Sequence, residues 1–294
     1  MNPFYFSLVS IVLLLSLKLL FQTRRFRNLP PGPHSFPIIG NLHQLKQPFH
    51  RTFQDISLKY GQIFSLWFGS RLVVVVSSYS AVQECFTKND IVLANRPHFL
   101  AGKYISYNNT TVALSPYGDH WRNLRRIIAL EVLSSHRINS FAEIRRDEIA
   151  RLLQKLADES RNGFAKVELK SMFSEMTFNT VMRMVSGKRY YGEEGEEARK
   201  FREMIEELVM LGGANNRGDF LAFVRWFDFD GLEKRLKRIG KQSDAFLQGL
   251  IDHHRNEKHR ANTMIDHLLT QQLSQPHYYT DQIIKGLALT LLTI

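Results

Sequence analysis

Trp121-Arg122-Asn123-Leu124-Arg125-Arg126 is the stretch on which the interpretation of this 294-residue chain depends. Positions four apart on an α-helix lie one above the other, so we expect Trp121 to sit over Arg125. An indole N–H and a guanidinium on one stripe can hold a carboxylate through charge-assisted hydrogen bonds, each contributing about 1.5 to 3 kcal/mol. On its own, the stretch is equally compatible with an ordinary basic helix whose tryptophan packs in the core.

The composition is that of a globular protein. Hydrophobic residues make up 44% of the chain and charged residues 23%, which excludes a disordered polymer. The net charge of +11 favours an acidic partner, an anionic membrane surface or nucleic acid. The single cysteine, Cys85, excludes an internal disulfide framework and fits a reducing compartment.

The N-terminal segment 1–22 is predicted to be a transmembrane anchor. Its apolar stretch is close to the ~20 residues that cross a bilayer, and its one charged residue, Lys18, can extend toward the interface. A cleaved signal peptide is disfavoured because no positive charge precedes the stretch and no cleavage site follows it. The basic residues Arg24, Arg25 and Arg27 predict that the body lies on the cytosolic side.

Residues 23–37 are predicted to form a basic, proline-rich hinge, and 38–294 the globular body. In Leu29-Pro30-Pro31-Gly32-Pro33, three prolines fix φ and remove donors, so no helix continues through it.

The runs 63–68 and 72–76 flank Gly69-Ser70-Arg71 and predict a β-hairpin. Ser78 is then expected to cap a helix that carries Cys85 as a small packed hydrophobe beside Phe86.

The remainder has mostly helical periodicity. Helices are predicted over about 170–186, 195–211, 229–257, 263–273 and from 280 onward, and Ser140-Phe141-Ala142-Glu143 matches a capping box. One small β element among many helices predicts a mainly α, α+β fold. The histidines 253, 254 and 259 lack a convincing ligand set and are expected on a solvated helix face. The basic run 234–241 is expected to be an exposed amphipathic face.

An ordered set of motifs resembles microsomal cytochrome P-450 enzymes. The set comprises the apolar anchor, the basic stop, Leu29-Pro30-Pro31-Gly32-Pro33, Pro37-Ile38-Ile39-Gly40-Asn41, the valine-rich hairpin, Asn95-Arg96-Pro97 and Trp121-x-x-x-Arg125. The resemblance runs through the whole chain and is nearest to plant enzymes that hydroxylate flavonoid or isoflavonoid rings. It implies the N-terminal part of the P-450 fold, with a small β-hairpin and a single preceding transmembrane helix.

The resemblance also implies a cofactor, partners and a location. Haem b would be held through its propionates by Trp121, Arg125 and Arg96, and the segment 99–115 would cover a small aromatic substrate. NADPH-cytochrome reductase, an acidic flavoprotein, would supply electrons for O2 at the endoplasmic-reticulum membrane. Nucleic acid is not expected, because the basic residues are scattered and no recognised motif appears. The residues implied to contact substrate are Phe99, Tyr104, Ile105, Val112, Leu114, Leu208 and Leu211.

The chain also departs from the family pattern. An oxygen-activating Ala/Gly-Gly-x-Asp/Glu-Thr motif, a Glu-x-x-Arg pair and a Cys-containing haem loop would follow the last helix, and none of the three is in this sequence. Cys85 is on a different helix and is not expected to replace the axial thiolate. The 294 residues alone are therefore expected to be inactive. The alternative is a non-catalytic, membrane-tethered truncated product.

Overall fold

The computed structural model describes residues 3–24, 28–161, 163–193, 195–213, 217–221, 231–257 and 262–293. Contacts divide the chain into two units. The first is Met1–Leu93 with Arg217–Phe227, and the second is Ala94–Asn216 with Asp228–Ile294. The domain boundaries expected at residues 22 and 37 stay predictions.

The described secondary structure of the first unit before residue 94 comprises a β-hairpin, four α-helices and a short 3-10 helix at Leu42–Gln44. The strands β1 and β2 pair antiparallel from Ile63 opposite Val76 to Phe68 opposite Arg71, which confirms the predicted hairpin. Phe64 and Leu66 alternate toward a small core with Ile56. The elements are α1 Pro3–Arg24, α2 Phe49–Tyr60, β1 Ile63–Phe68, β2 Arg71–Val76, α3 Tyr79–Thr87 and α4 Asp90–Leu93.

The predicted transmembrane segment is helical as α1. Where its side chains are described, apolar residues such as Phe6 and Leu14 are 68% and 65% exposed. Across the described residues, however, no helix combines the length and the apolar character of a bilayer crossing. The structure therefore gives no support to the single transmembrane helix predicted from the sequence.

The helix α3 begins as predicted, with the Ser78 side chain accepting from the Ala81 N–H at 3.3 Å. Its predicted packed face is only partly correct. Cys85 is half-buried, but Phe86 is 77% exposed. The reason is that α3 contributes no residue to the small core of the hairpin.

The described part of the proline-rich segment is bound along β1. The Ser65 N–H donates to the Pro31 carbonyl at 2.9 Å, and the Ser65 hydroxyl donates to the Pro30 carbonyl at 2.7 Å. A Cβ on Gly32 would lie 2.1 Å from the Ser65 carbonyl oxygen, so only glycine allows this approach. The segment is thus attached to the hairpin unit rather than acting as a free linker.

Asn41 fastens the end of this segment. Its side chain is fully buried, its amide donates to the His34 carbonyl at 2.9 Å, and its Oδ1 accepts from the Trp67 N–H at 2.8 Å. One side chain therefore satisfies backbone groups of both the segment and β1.

We expect Asn41→Ala to lower the free energy of unfolding by about 1–3 kcal/mol, because the Trp67 N–H loses its acceptor and the His34 carbonyl loses a donor. Urea unfolding monitored by circular dichroism measures the change. Asn89→Ala, at an exposed position of the same unit, is the control and should change stability by less than about 0.5 kcal/mol. Equal losses in the two variants would contradict the bridging role.

The second unit is helical, which confirms a mainly α fold with a small hairpin. The five helices whose ranges were predicted agree with those ranges within about three residues, over the part of the chain that the structure describes. Its core comprises buried residues such as Phe201, Leu236, Ile239 and Ile284. The helices are α5 Leu100–Ile105, α6 Asp119–Ile127, α7 Ser135–Ser140, α8 Ala142–Glu159, α9 Leu169–Ser186, α10 Glu196–Gly212, α11 Leu232–Asn256, α12 Met264–Ser274 and α13 Asp281–Thr293.

The capping box predicted at residues 140–143 is wrong. Ser140 is already the last residue of α7, and its hydroxyl donates to the Arg137 carbonyl at 2.8 Å instead of accepting from α8. A complete box occurs at the start of α12. There the Thr263 side chain accepts from the Asp266 N–H, and the Asp266 carboxylate accepts from the Thr263 N–H.

The basic run at the start of α11 is amphipathic, as predicted. Leu236 and Ile239 are buried in the core, whereas the basic residues are exposed. Arg235 and Arg238 are not free of partners, since both guanidinium groups reach Glu207 of α10, at 3.4 and 2.7 Å. These ion pairs connect α10 and α11 on the outer side.

Candidate functional site

The helix α6 positions Trp121 and Arg125 by burying the neighbouring face of the helix. Leu124 and Ile127 are 3% and 2% exposed and fix which face of α6 meets the core. Trp121 is consequently half-buried and Arg125 exposed. The helix continues into a π turn at Ile128–Val132, a feature that is frequent at functional sites.

Trp121 and Arg125 are stacked as the sequence predicts. The Arg125 guanidinium carbon lies 5.1 Å from the centre of the Trp121 ring, within range of a cation–π interaction. The indole N–H donates to the Val112 carbonyl at 3.1 Å. No carboxylate among the described residues pairs with the Arg125 guanidinium. Arg125 is therefore a cation available to an anionic group.

Arg96 lies in a segment that is tied to the start of α6. The Asn95 side chain accepts from the Tyr117 N–H at 3.0 Å, two residues before α6 begins. The Arg96 side chain is exposed, and its guanidinium donates to the Ala94 carbonyl. The fold thus brings the segment carrying the third predicted residue beside the helix carrying the other two.

A cavity of about 210 Å³ lies between α6 and α13. It is smaller than the roughly 300–1,000 Å³ of typical ligand pockets, so it does not by itself enclose a porphyrin. His120 and Gln282 at this cavity were not predicted. The His120 Nε2 lies 2.8 Å from the Thr110 carbonyl, and the Gln282 amide donates to the Thr110 hydroxyl at 3.3 Å. The lining residues are Thr110, Thr111, His120, Leu124, Thr280, Gln282, Ile283 and Gly286.

The donor set on α6 fits the propionate edge of a haem. A propionate is a carboxylate, and the stripe offers an exposed guanidinium with an indole N–H stacked above it. A propionate oxygen that accepted from this indole would take the place of the Val112 carbonyl. The single thiol, Cys85, is on α3 of the other unit and is no part of this donor set.

Five of the seven residues predicted to contact substrate belong to the core cluster or pack against it. Ile105 and Val112 are half-buried and pack against the core cluster, while Leu208 and Leu211 are 1% and 3% exposed within it. Phe99 and Leu114 are half-buried. Tyr104 also packs there, but its hydroxyl donates to Glu233 of α11. None of the seven lines the cavity beside α6.

His254 corrects the expectation of a solvated histidine face. It is 3% exposed, its Nδ1 lies 2.8 Å from the Asp266 carboxylate, and its Nε2 lies 3.2 Å from the Ser186 carbonyl. The neighbouring His253 is exposed, as expected, and pairs with Glu257 at 3.0 Å. His259 lies outside the described residues. Side chains one position apart on a helix differ by about 100° in direction, which separates the two environments.

Comparison with protein families decides what this arrangement belongs to. The sequence model of the family described as Cytochrome P450 matches residues 30–293, nearly the whole chain. The chain belongs to the cytochrome P450 family. This cytochrome P450 is therefore expected to use haem b, the cofactor of the family.

Among the relatives of this cytochrome P450 are named isoflavone hydroxylases. It is 72% identical to Cytochrome P450 81E8 of Medicago truncatula over 99% of this chain and 60% of that protein. It is 62% identical to isoflavone 2'-hydroxylase of Glycyrrhiza echinata over 98% and 58%, respectively. It is 60% identical to isoflavone 3'-hydroxylase of Medicago truncatula over 97% and 59%. The chain spans about 60% of the length of these relatives.

Proposed function

We propose that the protein is a haem-thiolate monooxygenase that inserts one oxygen atom from O2 into a small aromatic, isoflavonoid-like substrate. The observation that carries the proposal is the match of residues 30–293 to the cytochrome P450 family. The names of the relatives at 60–62% identity support an isoflavone-like ring as the substrate class. A flavoprotein reductase that draws on NADPH would deliver the electrons, and an acidic reductase suits the +11 charge of the chain.

Arg125 and Trp121 of α6 are proposed to bind the haem propionates, with Arg96 contributing a second guanidinium. Their support is the stacked geometry at 5.1 Å and the exposure of both arginines. When bound, the haem supplies the activation of O2. The protein residues hold its carboxylates, fix its orientation and keep water from the substrate side.

The segment 99–115 is proposed to cover the substrate. Phe99, Ile105, Val112 and Leu114 are half-buried apolar side chains that suit a flat ring. Leu208 and Leu211 are buried in the core cluster and would form the roof of the substrate pocket. These contacts would orient the ring toward the haem edge.

Attachment to the endoplasmic-reticulum membrane through α1 is part of the proposal. The support is the exposed apolar surface that α1 presents along its described side chains, together with the basic residues that follow it in the sequence. The body would then lie at the cytosolic side, where a reductase has access.

The activity is tested with the whole protein, reductase, NADPH, O2 and unsubstituted isoflavone. We expect a singly hydroxylated isoflavone in an amount matched by NADPH consumed. Absence of product from isoflavone and from related flavonoids, in protein that retains haem, would overturn the proposed reaction.

In the 294-residue polypeptide, we expect no thiolate-type Soret band in a carbon-monoxide difference spectrum, and Cys85→Ser should leave that spectrum unchanged. A thiolate-type Soret band in the 294-residue polypeptide would contradict this expectation.

We expect Arg125→Ala to release haem about 10- to 100-fold faster than the unaltered protein, because one charge-assisted hydrogen bond contributes about 1.5 to 3 kcal/mol. Transfer of haem to apomyoglobin, followed by absorbance, measures the rate. Arg122→Ala is the matched control, since Arg122 is exposed on the same helix and pairs with Asp119. Equal haem loss in the two variants would reject the propionate role of Arg125.

A further inference from the structure

The short helix α5 lies in backbone contact with α11. A Cβ on Gly240 would lie 2.3 Å from the Tyr104 carbonyl oxygen, so the two helices approach more closely than any side chain at that position would allow. Ile105, the next residue, packs toward the end of α10, with its Cδ1 3.6 Å from a Cβ built on Gly212. The end of α5 is therefore held between two long helices.

The Tyr104 side chain packs against the core and is also contacted by charged groups. Its hydroxyl donates to Glu233 of α11. Lys237 lies 3.1 Å from the same carboxylate oxygen and 5.3 Å from the centre of the Tyr104 ring. Lys103 approaches the ring at 4.9 Å. Two ammonium groups thus lie within cation–π range of the Tyr104 ring.

A second tyrosine, carboxylate and lysine set lies about three turns farther along α11. Lys285 of α13 contacts Asp244 at 2.5 Å and lies 5.7 Å from the Tyr107 ring. The Tyr107 hydroxyl is buried and has no hydrogen-bond partner among the described residues. Burial, followed by the charge of Asp244, raises the pKa of Tyr107 above its ordinary value.

The backbone that leads from Tyr104 into the second set makes a left-handed turn at residues 107–109. Tyr107, Asn108 and Asn109 have consecutive positive φ values of 49°, 59° and 62°. Asparagine tolerates this left-handed region, but an aromatic residue is uncommon there. Strained residues of this kind persist only where the surrounding structure holds them. Here the surrounding structure is the contact of Tyr104 with α11 on one side and the Asp244–Lys285 pair on the other.

We propose that Tyr104 is a positioning residue and not a substrate contact: its hydroxyl bond to Glu233 fastens the segment 99–115 to α11 and maintains the left-handed turn at 107–109. The consequence for ligand binding rests on the proposed function, since only then does this segment cover a substrate. Fastening fixes the half-buried side chains of Val112 and Leu114, which follow the turn, relative to the core. Tyr104 would act on the ligand through them.

The experiment compares Tyr104→Phe, Glu233→Ala and the double variant in the 294-residue chain by amide hydrogen exchange. The informative amides are those bonded within the segment, from Asn108 to the Lys103 carbonyl at 3.2 Å and from Asn109 to the Gly102 carbonyl at 3.0 Å. We expect each single variant to exchange about tenfold faster at these amides and the double variant to be no faster than either. Tyr79→Phe, an exposed tyrosine in the other unit, is the control and should not change them.

Unchanged exchange in Tyr104→Phe, or additive effects in the double variant, would overturn the fastening irrespective of any haem chemistry. The haem-loaded whole protein is then titrated with unsubstituted isoflavone and followed by the haem absorbance shift. We expect Tyr104→Phe to weaken isoflavone binding and raise KM about tenfold while kcat stays within about twofold. Faster exchange with unaltered isoflavone affinity would overturn the positioning role. Failure of the proposed function would show differently, as no isoflavone response in the unaltered protein.

Discussion

Asp266→Ala is expected to lower the free energy of unfolding by about 3–5 kcal/mol, because it leaves a buried histidine without its charged partner. Asp266 and His254 are each 3% exposed. One carboxylate oxygen faces His254 Nδ1 at 2.8 Å, and the other accepts from the Thr263 hydroxyl at 2.8 Å. The substitution therefore removes the carboxylate partner of His254 and the capping box of α12 together. Thermal or urea unfolding measures the loss.

The adjacent histidines supply a matched control. Both ring nitrogens of His254 face acceptors, a carboxylate and the Ser186 carbonyl, so the ring is bonded on both sides. His253 pairs at the surface with Glu257, and both side chains are at least 40% exposed. We expect His254→Ala to cost several kcal/mol and His253→Ala about 1 kcal/mol or less. Similar costs at the two positions would contradict the buried pair.

The contact between Asp266 and His254 also predicts how the stability of the protein changes as the pH falls. Burial raises the pKa of Asp266, but hydrogen bonds from Thr263 and His254 outweigh it and leave the pKa below its ordinary value of 3.8. A carboxyl whose folded pKa is depressed contributes stability at pH values above the unfolded pKa and loses it as the pH falls. The stability difference between the unaltered protein and Asp266→Asn should therefore shrink below about pH 4. A difference that stays constant there would contradict the depressed pKa of Asp266.

The sequence predicted those features that depend on neighbours within one or two turns. Five helix ranges of the second unit and the position of Trp121 over Arg125 follow from a period of 3.6 residues, and both were found. The hairpin also follows from a local pattern, since Gly69-Ser70 forms its turn. In each case the determining residues are adjacent in the chain.

Features that depend on distant neighbours were missed. Nothing near His254 indicates that Ser186 and Asp266 enclose it, and nothing near Tyr104 indicates Glu233, which is 129 residues away. The sequence likewise did not predict which group accepts from the Trp121 indole, because the Val112 carbonyl belongs to a loop. The motif at residues 140–143 failed as a cap because the preceding helix α7 already occupied Ser140. Local pattern therefore located the candidate site, and tertiary contacts determined the role of each side chain.

Glu148→Ala is expected to destabilise the second unit by about 3–5 kcal/mol, because the substitution leaves two guanidinium groups without their shared partner. Glu148 is 2% exposed on α8. It accepts from Arg183 of α9 at 2.8 Å, and from Arg189 at 2.8 and 3.2 Å. One carboxylate thus connects α8 to α9 and to the chain that follows α9. Urea unfolding followed by circular dichroism measures the change.

The neighbouring residue, Asp147, is a control that carries the same charge as Glu148 but is more exposed. Asp147 also contacts Arg183, but its side chain is 38% exposed and a second partner, Arg151, lies 3.2 Å away at the surface. We expect Asp147→Ala to cost about 1 kcal/mol or less. A triple variant, Glu148→Leu with Arg183→Met and Arg189→Met, should recover part of the stability lost in Glu148→Ala, because it removes the two guanidinium charges along with the buried carboxylate that they share. If the triple variant were less stable than Glu148→Ala, the cost would come from lost packing around the arginine stems and not from an uncompensated buried charge.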